Sequence, residues 1–288
     1  MTISVGIAFA NSGPFAQPEA AAALARTAEE HGVESLWTVE HVIVPVGYTS
    51  TYPYHPKGRM LGEELDIPDP LIWLAYVAGQ TSSIKLGTGI LILPQRNPIV
   101  TAKEIATLDL LSGGRVQLGV GVGWLEEEFD ALGVPFAERG RRTDEHIEVM
   151  RALWSGRASF DGEFTRFGEA IAHPVPAQGQ GVPIVIGGHT PIAARRAGRL
   201  GDGFFPAKGS VDELGVLVEV MRETAAAAGR NPDEIELTTG ARDLDGMKRL
   251  HDIGFTRFVA PPPAYDIAQL PAAFARLQEE LVGPLASI

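Results

Sequence analysis

The 288-residue sequence contains no cysteine. That excludes disulfides, thiolate nucleophiles and Cys-ligated zinc or iron–sulfur centres. Long apolar runs are also missing, and none is long enough to span a bilayer. The opening Met1-Thr2-Ile3-Ser4-Val5-Gly6 lacks the basic flank and apolar stretch of a signal peptide and already reads as a strand. The expectation is a cytoplasmic protein without membrane contact. Basic residues are in deficit, with 24 Lys+Arg against 36 Asp+Glu and a formal net charge of −12. This balance argues against nucleic acid or an anionic membrane as a partner. A phosphorylated ligand then needs local donors, such as a helix N-terminus or a few arginines. What the chain does have is 45% hydrophobic and 21% charged residues, enough for an enzyme-sized core.

Strand-like and helix-like segments alternate along the whole chain. Strands are expected at 3–9, 35–39, 84–93, 115–120, 183–186, 203–205, 235–239 and 256–259. Helices are expected at 18–30, 70–80, 99–111, 142–154, 192–200, 211–228, 243–253 and 270–281, the third stopped by Ser112-Gly113-Gly114. Eight such pairs predict a single α/β domain over 1–288, a (β/α)8 TIM barrel, with a doubly wound sheet as the runner-up. Two connections exceed plain turns: a loop at 42–69 and an insertion at 156–181. The first leaves strand two and hangs over the face where a barrel's ligands bind. The second starts on the opposite face and reads as a peripheral hairpin.

Glu40-His41 closes the second strand. In parallel α/β proteins, ligands bind where such residues emerge from strand ends. Histidine exchanges a proton near neutral pH, and a neighbouring carboxylate can orient its ring; a solvated strand end with an incidental His is the bland alternative. Three glycine-rich exits share this expected face: Gly87-Thr88-Gly89-Ile90, Gly119-Val120-Gly121-Val122-Gly123-Trp124, and Gly187-Gly188-His189. The second is not a dinucleotide fingerprint, because Trp124 stands where the last glycine is required. The third precedes a helix, whose first amides could cradle a phosphate. No pair of histidines has ligand-like spacing at the strand ends, so no metal site is expected. Asp144-Glu145-His146 reads as a solvated helix face, His31 as a dipole partner at the C-terminus of the first helix, Arg195-Arg196 as solvated or as partners of a phosphate or acidic tail, Asp202 as a turn residue, and Trp73 and Trp154 as core.

The stretches EHVIVP, GRVQLGVGVGWLEEEFDALGVPFAERGRRTDEHIEVMRALW and PIVIGGHTPIAARRAGRLGDGF carry a family likeness. Together with 87–98, they resemble the luciferase-like monooxygenase superfamily, and within it the coenzyme F420-dependent oxidoreductase branch. The resemblance implies a luciferase-like TIM barrel. It makes His41 the active-site histidine beside the reactive ring edge, and Glu40 the acidic residue contacting the ring. It makes Thr88, Gly89 and Ile90 the site of a bulge, often a non-prolyl cis peptide, that backs the ring. Gly121, Val122 and Gly123 would lie along the ring or its side chain, and Gly187, Gly188 and His189 would form the phosphate turn. Two positions depart from the pattern. F420-dependent sugar-phosphate dehydrogenases carry a glutamate general acid where this chain has Trp124, and a tryptophan where it has Pro45. Sugar-phosphate oxidation by their route is therefore not expected. The Gly-Gly-His turn, rather than a hydroxyl- or arginine-rich one, favours F420 over FMN.

The resulting expectation is an F420-dependent oxidoreductase that transfers a hydride between the deazaflavin C5 and a small organic substrate. In this reading His41 moves a proton and Glu40 holds its tautomer. An FMN-dependent monooxygenase fed by a separate reductase is the rival, and a cofactor-binding barrel without turnover the non-enzymatic alternative. Tyr48, Tyr52, Tyr54 and Trp124 are expected to line the substrate pocket, with Lys57 and Arg59 meeting an acidic cofactor tail. The resemblance also implies a homodimer.

Overall fold

A computed structural model describes residues 3–60, 62–179 and 181–286. In chain order its main elements are β1 (Ser4–Ile7), α1 (Pro18–Glu30), β2 (Ser35–Thr38), α2 (Pro70–Ala78), β3 (Lys85–Thr88) and β4 (Leu91–Ile92). There follow α3 (Pro98–Ser112), β5 (Val116–Gly121), α4 (Glu126–Ala131), α5 (Arg139–Trp154), β6 (Arg157–Asp161) and β7 (Arg166–Ile171). The chain continues through β8 (Ile184–Gly187), α6 (Pro191–Leu200), β9 (Gly203–Phe205), α7 (Val211–Ala227), β10 (Glu236–Gly240), α8 (Leu244–Asp252), β11 (Phe255–Ala260) and α9 (Leu270–Leu277).

The helices start where local chemistry tells them to. Asp69, Asn97, Thr190, Ser210 and Asp243 cap α2, α3, α6, α7 and α8 by accepting backbone N–H groups of the first turn. Proline occupies the first turn of α1, α2, α3 and α6, where the missing N–H costs nothing. Gly113 ends α3 in the left-handed conformation, at φ 71°.

β1 pairs in parallel with both β2 and β11, and the ladder β2–β3–β5–β8–β9–β10–β11 completes a closed ring. The strands thus form an eight-position (β/α)8 barrel, as the alternation predicts, and not a doubly wound sheet. The third position is interrupted. The expected strand at 84–93 is split into β3 and β4, with a cis peptide between Gly89 and Ile90 at the break, and β4 pairs onward with β5. The insertion at 156–181 is an antiparallel hairpin, β6 with β7, standing apart from the barrel sheet. The short helix α4 is absent from the sequence reading, and α9 gives way after Leu277 to a π-helical segment.

The barrel interior explains several glycines by packing. Trp37 of β2 lies across the barrel, and a Cβ on Gly6 or Gly87 would collide with its indole. One on Gly119 would strike the Thr88 carbonyl. Below it, Arg257 of β11 is fully buried and grips Glu34 through two 2.9 Å hydrogen bonds, with Glu236 at 2.7 Å. Burial opposes ionisation of Glu34, yet Arg257 holds its carboxyl down at about 2. This ion cluster plugs the amino-terminal end of the barrel. The opposite, carboxyl-terminal end is the ligand face of such folds. Among the described residues no helix is long and apolar enough to cross a membrane.

Candidate active site

His41 stands just beyond the carboxyl end of β2, where Val39 and Glu40 carry the chain out of the strand after Thr38. Its side chain is one-tenth exposed, and its Nδ1 lies 3.1 Å from Glu128 Oε2. Glu128, on α4, is fully buried. Its other oxygen accepts the Val42 N–H at 2.6 Å and the Ile43 N–H at 3.3 Å. An ionised carboxylate only accepts hydrogen bonds, so the imidazole Nδ1 carries the hydrogen and Nε2 is left to exchange a proton.

Glu40 does not hold that tautomer, contrary to the expectation from sequence. It is buried and turned toward β4, where it accepts hydrogen bonds from the Ile92 N–H and from Arg96, the Nε bond measuring 2.9 Å. Arg96 reaches on to Asp69 at 2.6 Å, and Asp69 also caps α2. Burial pushes the Glu40 carboxyl up, against the pull of Arg96. The physical reason for the swap is the docking of α4, which sets the Glu128 carboxylate against His41, while Ile92 and Arg96 take up Glu40. Glu128 carries a signal in the sequence, as the last of three glutamates after the Gly123-Trp124 exit. Nothing local says which of the three turns inward.

The floor between these groups is the Gly89–Ile90 bulge, with Ile90 only partly covered. The Ile90 side chain occupies the space that a Cβ on Gly121 or Gly187 would fill. Those two glycines therefore make room for Ile90 itself. Thr88 is likewise committed: it is buried, and its hydroxyl donates to the Gly119 carbonyl at 2.6 Å. Val122 is partly exposed at the strand exit, and Gly123 has φ 80°, with Phe129 and Ile92 against the position of a Cβ.

At the third exit, Gly188 has φ 122°, and its N–H donates to the Phe205 carbonyl at 3.2 Å. A Cβ there would come within 2.9 Å of the Ala193 side chain. Its glycine is demanded by the turn, and its amide is already used. His189 is different. Its Nδ1 is buried with no hydrogen-bond partner among the described residues, beside the start of α6. Burial, reinforced by the Lys208 charge, pushes its pKa down, which keeps the ring neutral at pH 7. Buried polar atoms are ordinarily paired, so an orphan at a helix N-terminus fits a bound acceptor or donor there.

The 42–69 loop folds across this face and joins its two sides. Trp124 contacts His41, Tyr48 and Tyr52 edge-on, at ring separations of 5.6, 5.5 and 5.1 Å. Tyr52 meets Tyr54 at 5.5 Å, and Tyr54 meets His189 at 5.2 Å. Tyr48 is buried behind Trp124, with Arg59 stacked on its ring at 3.8 Å. It supports the wall rather than facing the pocket. Arg59 also donates to the Tyr48 carbonyl and pairs with Glu63, both within its own loop. Burial pushes the Tyr54 phenol up to about 12 and Tyr52 in the same direction, which keeps both hydroxyls protonated. Glu127 accepts from the Thr49 and Ser50 amides, and the Ser50 hydroxyl accepts from the Glu126 N–H, fastening the loop to α4. Asp202 accepts from Arg151 and the Ile184 N–H, a structural role.

A parallel barrel with a carboxylate-held histidine beside the Gly89–Ile90 break at its ligand face is equipped to move a proton there. Sequence comparison gives the family. A profile of the luciferase-like monooxygenases matches residues 1–242, and the chain belongs to that family and is an oxidoreductase. It is 36% identical over 237 residues to an uncharacterized protein of Mycobacterium tuberculosis, covering 81% of each chain. It is 38% identical over 249 residues to an F420-dependent glucose-6-phosphate dehydrogenase of Nocardia farcinica, covering 83% of this chain and 68% of that one. The structure of a coenzyme F420-dependent tetrahydromethanopterin reductase from Methanopyrus kandleri superposes with a TM-score of 0.77 at 22% identity, covering 99% of this chain and 100% of that one. The last likeness is one of fold.

Proposed function

We propose that the protein binds coenzyme F420 and transfers a hydride between its C5 and a small organic substrate. The observation that carries the reading is the His41–Glu128 pair standing at the strand end beside the partly open Gly89–Ile90 floor. The relatives named F420-dependent dehydrogenases support the choice of cofactor. The residues fit a flat ring with a phosphate-bearing tail. Gly89 and Ile90 would back the ring, Val122 and Gly123 would border it, and His189, whose Nδ1 is unpaired beside α6, would meet the tail. When bound, the deazaflavin supplies the carbon that accepts or gives the hydride. His41 takes the proton from a substrate hydroxyl during oxidation and returns it to the oxygen during reduction. Glu128 holds Nδ1, so that Nε2 is the atom that does so. Glu40, through Ile92 and Arg96, fixes the floor. Homodimer formation is part of the proposal, supported by exposed Ile72 and Tyr76 on α2 and Ile99, Val100, Leu110 and Leu111 on α3.

Titration with F420 and FMN side by side, read by fluorescence, tests the cofactor. F420 is expected to bind at micromolar affinity or tighter, and FMN much more weakly. Tight FMN binding without F420 binding overturns the reading in favour of the monooxygenase. Sedimentation reports the oligomeric state.

A further inference from the structure

Resting on the F420 reading, we propose that the substrate is an uncharged, planar conjugated carbonyl compound, seated against an aromatic wall to which Phe9 contributes. A phosphate ester is the class it disfavours.

Phe9 follows β1 at the ligand face and is 49% exposed. Its φ is 56°, in the left-handed region. A bulky residue is an outlier there; Gly or Asn adopts that conformation at far lower cost. The turn is held firmly. The Phe9 carbonyl accepts from the Ser12 N–H and hydroxyl, and the Ala10 N–H donates to the Trp37 carbonyl. Asn11 clamps both the N–H and the carbonyl of Val39, so this turn is fixed beside the strand end that carries His41. The backbone around residue 9 is thus determined by its neighbours, and the ring adds cost without adding core. Strain of this kind concentrates at functional sites.

The other walls agree. Trp124 contacts His41 directly, and Tyr52 and Tyr54 continue the aromatic surface to His189. Three of the cations nearby are engaged. Arg96 is held by Glu40 and Asp69, Arg59 by Glu63 and the Tyr48 carbonyl, and Lys208 donates to the Pro53 carbonyl. These three meet a substrate phosphate at His41 only by leaving their partners, in a protein of net charge −12. A flat neutral molecule needs only ring contacts and one polar end. In the reducing direction its carbonyl carbon gains the hydride, with the reduced deazaflavin as two-electron donor. The C=O π pair moves to oxygen, and that oxygen takes the proton from His41, giving the alcohol.

The test is calorimetry on the full chain saturated with oxidised F420, so that binding is read without turnover. The probes are 4-phenyl-3-buten-2-one and glucose 6-phosphate, on the wild type and on Phe9→Gly, which keeps the turn and removes the ring. The enone is expected to bind at least tenfold more tightly than the sugar phosphate. Phe9→Gly is expected to weaken the enone at least fivefold, with a melting temperature no lower than the wild type. Failure of F420 to bind overturns the cofactor reading, and this inference with it. With F420 bound, sugar-phosphate binding as tight as the enone, or an enone affinity indifferent to Phe9, overturns this inference alone.

Discussion

Replacing Glu128 by glutamine tests whether His41 works through its carboxylate. The side chain is fully buried and keeps its size, so the change is one of charge and hydrogen-bond polarity. The amide oxygen can still accept from the Val42 and Ile43 N–H groups, which Glu128 Oε1 does at 2.6 and 3.3 Å. The amide NH2 then faces His41 Nδ1, where Oε2 now stands at 3.1 Å. Two donors cannot share that contact, so the imidazole must place its hydrogen on Nε2 and loses the proton-accepting atom. Hydrogen bonds to charged groups contribute about 1.5–3 kcal/mol, so Glu128→Gln should destabilise the fold by no more than that. Positioned proton transfer is typically worth ~10²–10⁴ in rate, and most of this should vanish from kcat. F420 affinity should change little, because the contact is to the reacting groups. His41→Ala should behave alike, and the double variant should be scarcely slower than either single one, since the two act as a unit. The assay is F420 reduction or oxidation at 420 nm over a pH series, with calorimetric F420 affinity beside it. A wild-type kcat for Glu128→Gln, or strictly additive losses in the double variant, refutes the reasoning.

Three further outcomes are expected. The Glu34 carboxyl, held at about 2 against an ordinary 4.5, contributes stability that is full above the unfolded value and lost as pH falls through the folded one; the unfolding free energy from urea titrations should therefore drop between these values by on the order of 3 kcal/mol, and Glu34→Gln should flatten that drop. His189→Phe should leave the melting temperature near wild type while weakening F420 at least fivefold, and unchanged affinity moves the tail elsewhere. Glu127→Ala removes the acceptor of the Thr49 and Ser50 amides, so hydrogen exchange across 48–60 should quicken in the cofactor-free protein; protection equal to wild type in both states marks a cap that does not depend on this fastening.

Much of the fold is legible in the sequence because alternation, caps and stop signals act locally. Pro18, Asn97-Pro98 and Gly113 mark helix ends by chemistry that needs no tertiary partner. The hairpin at 156–181 follows from its length and its place on the opposite face. The site is legible only down to residue neighbourhoods. His41 is visible at its strand end, but its partner lies 87 positions away along the chain and is set by how α4 docks. The same limit hides Arg96, whose link to Glu40 spans 56 positions. Tyr48 looks like a pocket residue by composition, and burial behind Trp124 decides otherwise.

The glycine-rich exits show how the fold and the site share one cause. Along the chain, they suggest backbone laid bare for a ligand. In the barrel, Gly6 and Gly87 admit Trp37, while Gly121 and Gly187 admit Ile90. Two large side chains therefore fill the interior in succession, and the upper one is the floor of the mouth. Interiors are close-packed, so neither can shift without moving several strands. Glu40, Arg96 and Asp69 tie that floor to the entry of α2 and the end of the 42–69 loop. A rigid floor leaves variation to the rim. Phe9, Trp124, Tyr52 and Tyr54 stand on turns or loops, where substitution costs little core. Changes at Trp37 or Ile90 should thus lower stability and binding together. Changes at the rim should alter which substrate is held while the barrel melts as before.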